Sequence, residues 1–361
     1  MNSLAANTNA PDRPLQLQRV ARFERLRALA WDGDILYASR GYSLLCAKVT
    51  PTSAANLAWQ KVANFSPPWW RNISSSNRLG ARLCRDGFHA MAVLPSQAIV
   101  AAVPGAIITL SPGASEFHIT HSITRGTRPL HIAAIPGGQL FWGEYFDNAA
   151  RDEVHIYSSR DNGATWNIAY TFSRGSIRHI HNIVHDPWQN CLWILTGDYG
   201  DECRILRASY DFSQIDGVLK GNQQARAVAL VPTEDGVYFS SDTPLEKNFV
   251  YRLDRQGTLE KLAPLNSSSI YGCRVGESIF FSTMAEPSPV NTSNEVSIYA
   301  GAHNKEWRDL LSWQKDFWSM RFFQYGNAFL PDGDNSTEYL AVTTIAVEPD
   351  DMSTSLYSTR T

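Results

Sequence analysis

Residues 130–172 read LHIAAIPGGQLFWGEYFDNAARDEVHIYSSRDNGATWNIAYTF. Four short segments rich in Ile, Phe, Tyr and Trp alternate with turn-forming residues in this stretch. The first turn contains Gly137-Gly138, and the last contains Asp161-Asn162-Gly163. Short β-branched and aromatic runs bounded by Gly, Asn and Asp are typical of antiparallel strands joined by tight turns. The stretch therefore predicts one four-stranded antiparallel unit.

The same pattern recurs along the chain. Clear copies begin at His181, Ala227 and Tyr271, and weaker copies begin near Leu26, His89 and Tyr325. Four strands every 40 to 50 residues are typical of a β-propeller. We therefore predict an all-β fold, a seven-bladed β-propeller in a single domain over residues 15–361, with six blades as the alternative count. Residues 15–23 (LQLQRVARF) should supply the outer strand of the last blade and close the ring, after a flexible segment at 1–14.

Two segments depart from the repeat. An insert at 66–87 follows the first unit and contains the adjacent pair Trp69 and Trp70. Two indoles on a Pro-rich loop would suit stacking on a sugar, and packing against the rim of the barrel is the equal alternative. The stretch 305–320 has a composition that would allow a short helix.

Composition excludes several classes of protein. The 361 residues include 32 Lys and Arg and 35 Asp and Glu, for a net charge of −3, and 43% are hydrophobic. Global disorder and a basic nucleic-acid-binding surface are not expected from these values. No apolar run is long enough to span a membrane. The five cysteines are an odd number without a CxxC pair, which indicates free thiols. The polar first sixteen residues predict a cytoplasmic protein, with export left open, and we expect a monomer.

One turn carries a specific motif. Ser159, Asp161, Gly163, Thr165 and Trp166 match the Asp box, Ser-x-Asp-x-Gly-x-Thr-Trp, at every defined position. The motif also falls between the third and fourth strands of its unit. In this it resembles the BNR-repeat proteins of the sialidase-like β-propeller superfamily. Asp161 then has a structural role, because its carboxylate bonds to the turn backbone.

The resemblance implies carbohydrate-active chemistry at the central pocket. Sialidases carry an Arg-Ile-Pro motif in the first blade, and no such tripeptide occurs here. Other propellers that this chain resembles are lyases and glycosidases of uronate-containing polysaccharides, several of which place His and Arg around the pocket. The implied partner is an acidic oligosaccharide or polysaccharide.

Basic residues recur where each inner strand should begin. Since these positions converge on the central channel of a propeller, they predict a ring of cations and imidazoles. The ring comprises Arg25, Arg27, His89, Arg128, His131, Arg178, His179, His181, Arg226, Arg274 and Gln324. Of these, we predict His89, Arg128, His131, Arg178, Arg226 and Arg274 as substrate-binding residues, together with Tyr199 from a neighbouring loop.

Loops between second and third strands should bring acids to the same face. A glycosidase needs two carboxylates on opposite sides of the glycosidic oxygen, one of them protonated. Glu144 and Asp198, which lie in neighbouring units, could supply them. A uronate lyase instead needs arginines to neutralise the substrate carboxylate and a base, for which His131, His181 or Tyr145 would serve. The predicted catalytic residues are therefore Glu144, Asp198, His181 and Tyr145. We expect a glycoside hydrolase, with a polysaccharide lyase and a propeller that binds a glycan or a protein without turnover as the alternatives.

A metal is a further use of the histidines. His89, His131 and His181 begin three successive units, and three imidazoles would suit zinc or manganese. No cofactor is predicted firmly, and a divalent cation in the central channel is the one considered.

Overall fold

Seven sheets, antiparallel except for the β2–β27 pair, follow one another along the chain in the computed structural model, which describes residues 15–302 and 305–360. Each sheet is one blade, so the prediction of a seven-bladed propeller is confirmed and the six-bladed alternative is wrong. The predicted flexible segment at 1–14 lies outside the described residues.

The first strand and blades 1 to 3 come first in the chain. Strand β1 is Gln18–Glu24. Blade 1 contains β2 (Arg27–Gly33), β3 (Ile35–Arg40), β4 (Ser43–Lys48) and β5 (Gln60–Asn64). Blade 2 contains β6 (Met91–Val93), β7 (Ile99–Val103), β8 (Ala106–Leu110) and β9 (His118–Ser122). Blade 3 contains β10 (Ala133–Ala134), β11 (Leu140–Gly143), β12 (Val154–Ser159) and β13 (Asn167–Phe172).

Blades 4 to 7 complete the ring. Blade 4 contains β14 (Ile180–Asp186), β15 (Cys191–Thr196), β16 (Arg204–Ala208) and β17 (Ile215–Lys220). Blade 5 contains β18 (Ala227–Thr233), β19 (Gly236–Ser241), β20 (Phe249–Asp254) and β21 (Leu259–Pro264). Blade 6 contains β22 (Ser269–Val275), β23 (Ser278–Thr283), β24 (Glu295–Ala302) and β25 (Lys305–Lys315). Blade 7 contains β26 (Asn327–Phe329), β28 (Tyr339–Ile345) and β30 (Ser353–Ser358); β27 (Asp332–Asn335) and β29 (Val347–Glu348) are short strands that join blades 1 and 6.

The ring closes through the N-terminal strand. β1 pairs antiparallel with β30, from Gln18 opposite Ser358 to Glu24 opposite Ser353. It is therefore the outermost strand of blade 7. This confirms the closure predicted from residues 15–23.

The core lies between the blades. Seven clusters of buried apolar side chains are present, and each one joins two neighbouring sheets. Apolar residues face both sides of a propeller blade, because each blade is covered by a neighbour on either side. This arrangement explains the near-continuous apolar inner strands, such as the fully buried β15.

The two irregular segments fold differently from each other. The insert forms two short helices, α1 (Trp69–Ser76) and α2 (Arg78–Cys84), near blades 1 and 7. Trp69 and Trp70 are 74% and 44% exposed at the start of α1, so they are not packed in the core. The expected helix within 305–320 is wrong, because residues 305–315 form β25 and pair along β24.

The part of the chain that the structure describes contains no helix long and apolar enough to cross a membrane. All five cysteines are free thiols, as predicted from their count.

Candidate functional site

Asp198 lies at the centre of a cluster where the inner strands begin, on what we call the upper face. It follows β15 directly and is 8% exposed. Gly197 before it has φ +111°, and a Cβ there would lie 2.2 Å from the carbonyl oxygen of Glu202. Glycine is therefore required to direct the chain into this turn.

Four groups from two blades approach the Asp198 carboxylate. His181 Nε2 and Arg226 Nη2 each lie 3.3 Å from Oδ1. His179 Nε2 and Arg178 Nη1 lie 3.5 Å and 3.2 Å from Oδ2. Burial alone would raise the pKa of Asp198, but its contacts with the two imidazoles hold that pKa below its usual range. The carboxylate is therefore ionised.

The two imidazoles have fixed orientations. His179 Nδ1 lies 2.9 Å from the carbonyl oxygen of Phe146, and His181 Nδ1 lies 2.9 Å from that of Ala227. Their Nε2 atoms face each other at 3.1 Å. Burial lowers the pKa of His181, although the neighbouring Asp198 acts in the opposite direction.

Tyr145 from blade 3 lies over the imidazoles. Its ring centroid is 4.4 Å from that of His179 and 6.2 Å from that of His181. Burial, followed by the charges of Asp198 and Asp242, raises the pKa of Tyr145 to about 12. The phenol is therefore protonated at neutral pH.

Two further carboxylates border the cluster. Asp242 lies 3.4 Å from the same Arg226 nitrogen that contacts Asp198. Burial, opposed by Arg226, raises the pKa of Asp242 to about 7. Burial also raises the pKa of Glu286, which accepts a hydrogen bond from Tyr325.

His179, His181 and Asp198 offer three ligand atoms within 4.8 Å of one another. Two imidazole nitrogens and a carboxylate oxygen are a donor set that transition metals accept. The predicted trio of His89, His131 and His181 does not form such a group among the residues that the structure describes.

A second cluster lines the channel beside blades 1, 2 and 3. Arg27 Nη2 lies 3.4 Å from His89 Nδ1, and the guanidinium stacks 4.1 Å from the centroid of Phe329. Arg128 donates to the Arg85 carbonyl at 3.0 Å. Arg25, Arg27, Arg85 and Gln324 border a cavity of about 90 Å³ beneath the helices.

Positive charge predominates in this second cluster. Burial, together with Arg128 and Arg27, holds the pKa of His89 well below its usual range. Burial and Arg27 also lower the pKa of Arg128 to about 10. His131 Nδ1 lies 3.3 Å from the Asp332 carboxylate. A buried excess of guanidinium is an environment that an anion would stabilise.

Three further predicted site residues, Glu144, Arg274 and Tyr199, are not among the four groups that approach the Asp198 carboxylate. The oxygens of Glu144 are bound by the Arg125 guanidinium and by the His155 backbone amide, the latter at 2.8 Å. Arg274 lies at the end of β22, where its guanidinium stacks 5.4 Å from Trp188. That is the opposite face, so the prediction that Arg274 begins an inner strand is wrong. Tyr199 is 46% exposed at the rim, 5.8 Å from the Arg178 guanidinium.

Four neighbours were not chosen as catalytic or substrate-binding residues from the sequence. His179 was predicted only as a member of the ring, and the others are Asp242, Asp332 and Tyr271, which hydrogen-bonds to Arg27. Asp242 had a usable signal, because it follows the second strand of blade 5 just as Asp198 follows that of blade 4. No sequence signal indicated Asp332, because its strand β27 lies in a loop of blade 7 and pairs with the innermost strand of blade 1.

The turn at 159–166 lies on the face opposite the cluster. Asp161 accepts hydrogen bonds from the Thr165 amide at 2.9 Å and from the Thr165 hydroxyl at 2.6 Å. A Cβ on Gly163 would lie 2.5 Å from the Val100 side chain in blade 2. The indole of Trp166 donates to Thr120, also in blade 2, at 3.2 Å. The motif therefore fastens two blades together.

Comparison with known proteins identifies the architecture. No family model and no curated protein matches the chain. A chain of a solved mitotic checkpoint complex is similar with a TM-score of 0.59 and 9% identity, over 99% of both chains. A chain of a nidogen/laminin complex is similar with a TM-score of 0.50 and 11% identity, over 83% of this chain and 97% of that one. At these identities the similarity shows a propeller fold and nothing about chemistry.

Proposed function

We propose that this protein is a carbohydrate-active enzyme that cleaves an acidic, uronate-bearing glycan by β-elimination at the Asp198 cluster. The observation that carries the proposal is the convergence of a phenol, two imidazoles and two guanidiniums on one ionised carboxylate at the channel mouth. The Asp-box turn and the seven blades support the resemblance to sialidase-like propellers, many of which act on glycans.

The charge of the channel supports an anionic substrate. The guanidiniums of Arg27, Arg85 and Arg128 all lower the pKa of the buried His89, whereas the nearby acids are Asp332, beside Arg27, and Glu286, beside Arg85. The Nε–H groups of Arg178 and Arg226 are buried without a hydrogen-bond partner. Guanidinium groups with free donors suit a carboxylate or sulfate.

Elimination fits these residues better than hydrolysis does. A glycosidase needs two carboxylates on opposite sides of the glycosidic oxygen, one of them protonated. Glu144 is held by Arg125 and a backbone amide, and Asp198 is surrounded by four cationic or imidazole groups. Neither is free to act as the partner of the other.

Tyr145 is the proton-transferring residue of the proposed reaction. The ionised form of Tyr145, a minor species at neutral pH, removes the proton from the carbon beside the substrate carboxylate, and the phenol so formed returns that proton to the departing glycosidic oxygen. The C–H electrons form the new C=C bond, and the C–O electrons leave with that oxygen. Arg226, which favours the ionised phenol, supports this role.

The test exposes the purified protein to a panel of uronate-bearing polysaccharides and sialosides, with ultraviolet absorbance and reducing ends followed together. We expect both signals to rise, because elimination leaves an unsaturated uronate at each new end. Tyr145→Phe should lower the rate by about 100-fold or more. Tyr170→Phe, in outer strand β13 of the same blade, is the matched control and should retain the rate.

Two results would contradict the proposal. Reducing ends without absorbance would identify a hydrolase. Neither signal, together with a glycan-dependent rise in melting temperature, would identify a binding propeller.

A further inference from the structure

We propose that His179, His181 and Asp198 form a divalent transition-metal site, of the zinc type, with an open coordination position towards Tyr145. This goes beyond the proposed function and does not depend on it, since metal binding is measured without any glycan.

The hydrogen bonds of the imidazoles fix where their protons are. Both Nδ1 atoms lie 2.9 Å from backbone carbonyl oxygens, of Phe146 and Ala227. A carbonyl can only accept, so each Nδ1 must carry the hydrogen. In the neutral rings, both Nε2 lone pairs then point at each other across 3.1 Å and at the Asp198 carboxylate. These electron-rich atoms favour a positively charged occupant between them, which is either a metal ion or a shared proton.

The spacing of the ligand atoms fits a metal. The two nitrogens are 3.1 Å apart, and their nearest carboxylate oxygens are at 3.3 and 3.5 Å. Ligands about 2.0 to 2.1 Å from a tetrahedral zinc lie roughly 3.3 Å from one another. Oδ1 of Asp198 faces His181 and Oδ2 faces His179, so the carboxylate can complete the site through either oxygen, with all ligand atoms within 4.8 Å of one another.

The surroundings supply the outer shell that metal ligands need. The carbonyls of Phe146 and Ala227 orient the imidazoles, as metal-bound histidines require. Arg178 and Arg226 hold the two oxygens of Asp198. These partners come from three blades, so the folded ring preorganises the site before any ion arrives.

The donor set selects the class of ion. Calcium and magnesium take oxygen ligands, whereas two imidazoles with one carboxylate favour zinc and its neighbours. Three protein ligands leave at least one position open, which is the pattern of catalytic zinc sites. We assign the open position to the side of Tyr145, whose ring centroid is 4.4 Å from that of His179 and 6.2 Å from that of His181.

A shared proton is the competing occupant. An imidazolium Nε2–H that donates to the other imidazole would also satisfy the 3.1 Å contact. The experiment therefore has to distinguish a metal from a proton.

Tag-free, chelator-stripped protein is titrated with Zn²⁺ and Co²⁺ and, separately, with Mg²⁺ and Ca²⁺. We expect one equivalent of Zn²⁺ to bind, and Co²⁺ to give the intense visible absorption of a four-coordinate ion. His181→Gln and Asp198→Asn should each weaken binding by more than about tenfold. His185→Gln, at the far end of the same strand, is the control and should bind as the wild type does.

Circular dichroism and the melting temperature of each metal-free variant establish that it is folded. The proposal is overturned if the folded wild type binds no Zn²⁺ or Co²⁺, which would leave the shared proton as the occupant. It is also overturned if His181→Gln binds as tightly as His185→Gln. The glycan assay can fail while metal binding succeeds, and the reverse, so the two proposals are tested separately.

Discussion

At the scale of single residues, side-chain partners decide which acids are free to act. Glu144 and Asp198 both follow the second strand of their blades, and both are almost fully buried. Glu144 meets the Arg125 guanidinium, whereas Asp198 meets two imidazoles and two guanidiniums. Equivalent positions in a repeat therefore have different chemistry, because the neighbouring blade supplies the partners.

Asp242 should make the stability of the protein depend on pH. Burial raises its pKa from the ordinary 3.8 to about 7 in the folded chain. Between these values the folded state holds a proton that the unfolded state has lost, so the free energy of unfolding should fall as pH rises from about 4 to about 7. Asp242→Asn stays neutral and should remove this part of the decline.

The measurement is the melting temperature of both proteins between pH 4 and pH 8, in the presence of a chelator. The two proteins should have similar values near pH 4, and Asp242→Asn should be the more stable above pH 7. Parallel curves across the whole range would show that Asp242 is ionised in the folded chain.

At the scale of elements, helix α2 is attached to the ring by a buried ion pair. Arg82 is 0% exposed, its guanidinium bonds to Asp316, and it stacks 4.4 Å from the centroid of Trp318. Asp316 directly follows β25. The arginines of α2 thus attach the insert to the ring, Arg82 through its ion pair with Asp316 and Arg78 through Asp351.

Arg82→Met should lower the free energy of unfolding by about 2 to 3 kcal/mol, because it removes one of the two buried cations on the Asp316 carboxylate and leaves Lys315 as the other. Arg78→Met is the matched control on the same helix. Arg78 approaches Asp316 at 3.6 Å and Asp351 at 2.5 Å, but its side chain is 45% exposed, so the cost should stay below about 1 kcal/mol. Urea denaturation measures both values, and equal losses would contradict the argument.

Strand β25 illustrates a limit of local propensity. Lys, Glu, Leu and Gln in residues 305–315 are good helix formers, yet this segment pairs with β24 over almost its full length. Trp313 is 6% exposed in the core between blades 6 and 7. Burial and ladder hydrogen bonds therefore outweigh intrinsic preference here.

At the scale of the whole molecule, closure of the ring depends on β1. Its residues pack Val20, Ala21 and Phe23 against the cluster between blades 7 and 1. Without β1, strand β30 would become an exposed edge and that cluster would open. The first strand therefore stabilises a ring whose last blade is completed from the other end of the chain.

Deletion of residues 1–24 should lower the melting temperature by several degrees and promote aggregation. A synthetic peptide covering residues 15–25, added in trans, should restore part of the lost stability, and a peptide of the same composition in scrambled order should not. Calorimetry with each peptide provides the measurement. An unchanged melting temperature in the deletion variant would show that closure does not need β1.

The sequence by itself determined the blade count, the order of strands and the closure by residues 15–23. These features follow from local apolar patterning and turn residues, which each segment carries independently of the others. It also located the upper-face positions of Arg178, His181, Asp198 and Arg226.

Only the tertiary structure decided which of those positions meet. His181 contacts Ala227 from the next blade, Glu144 is bound by Arg125, and Asp332 reaches blade 1 through β27. We predicted Arg274 at the start of an inner strand, but it lies near the end of β22, on the opposite face. The sequence pattern does not fix where a strand begins, because that position is decided by the register with the neighbouring strand. A site assembled from several blades depends on side-chain directions and distances that no single repeat contains.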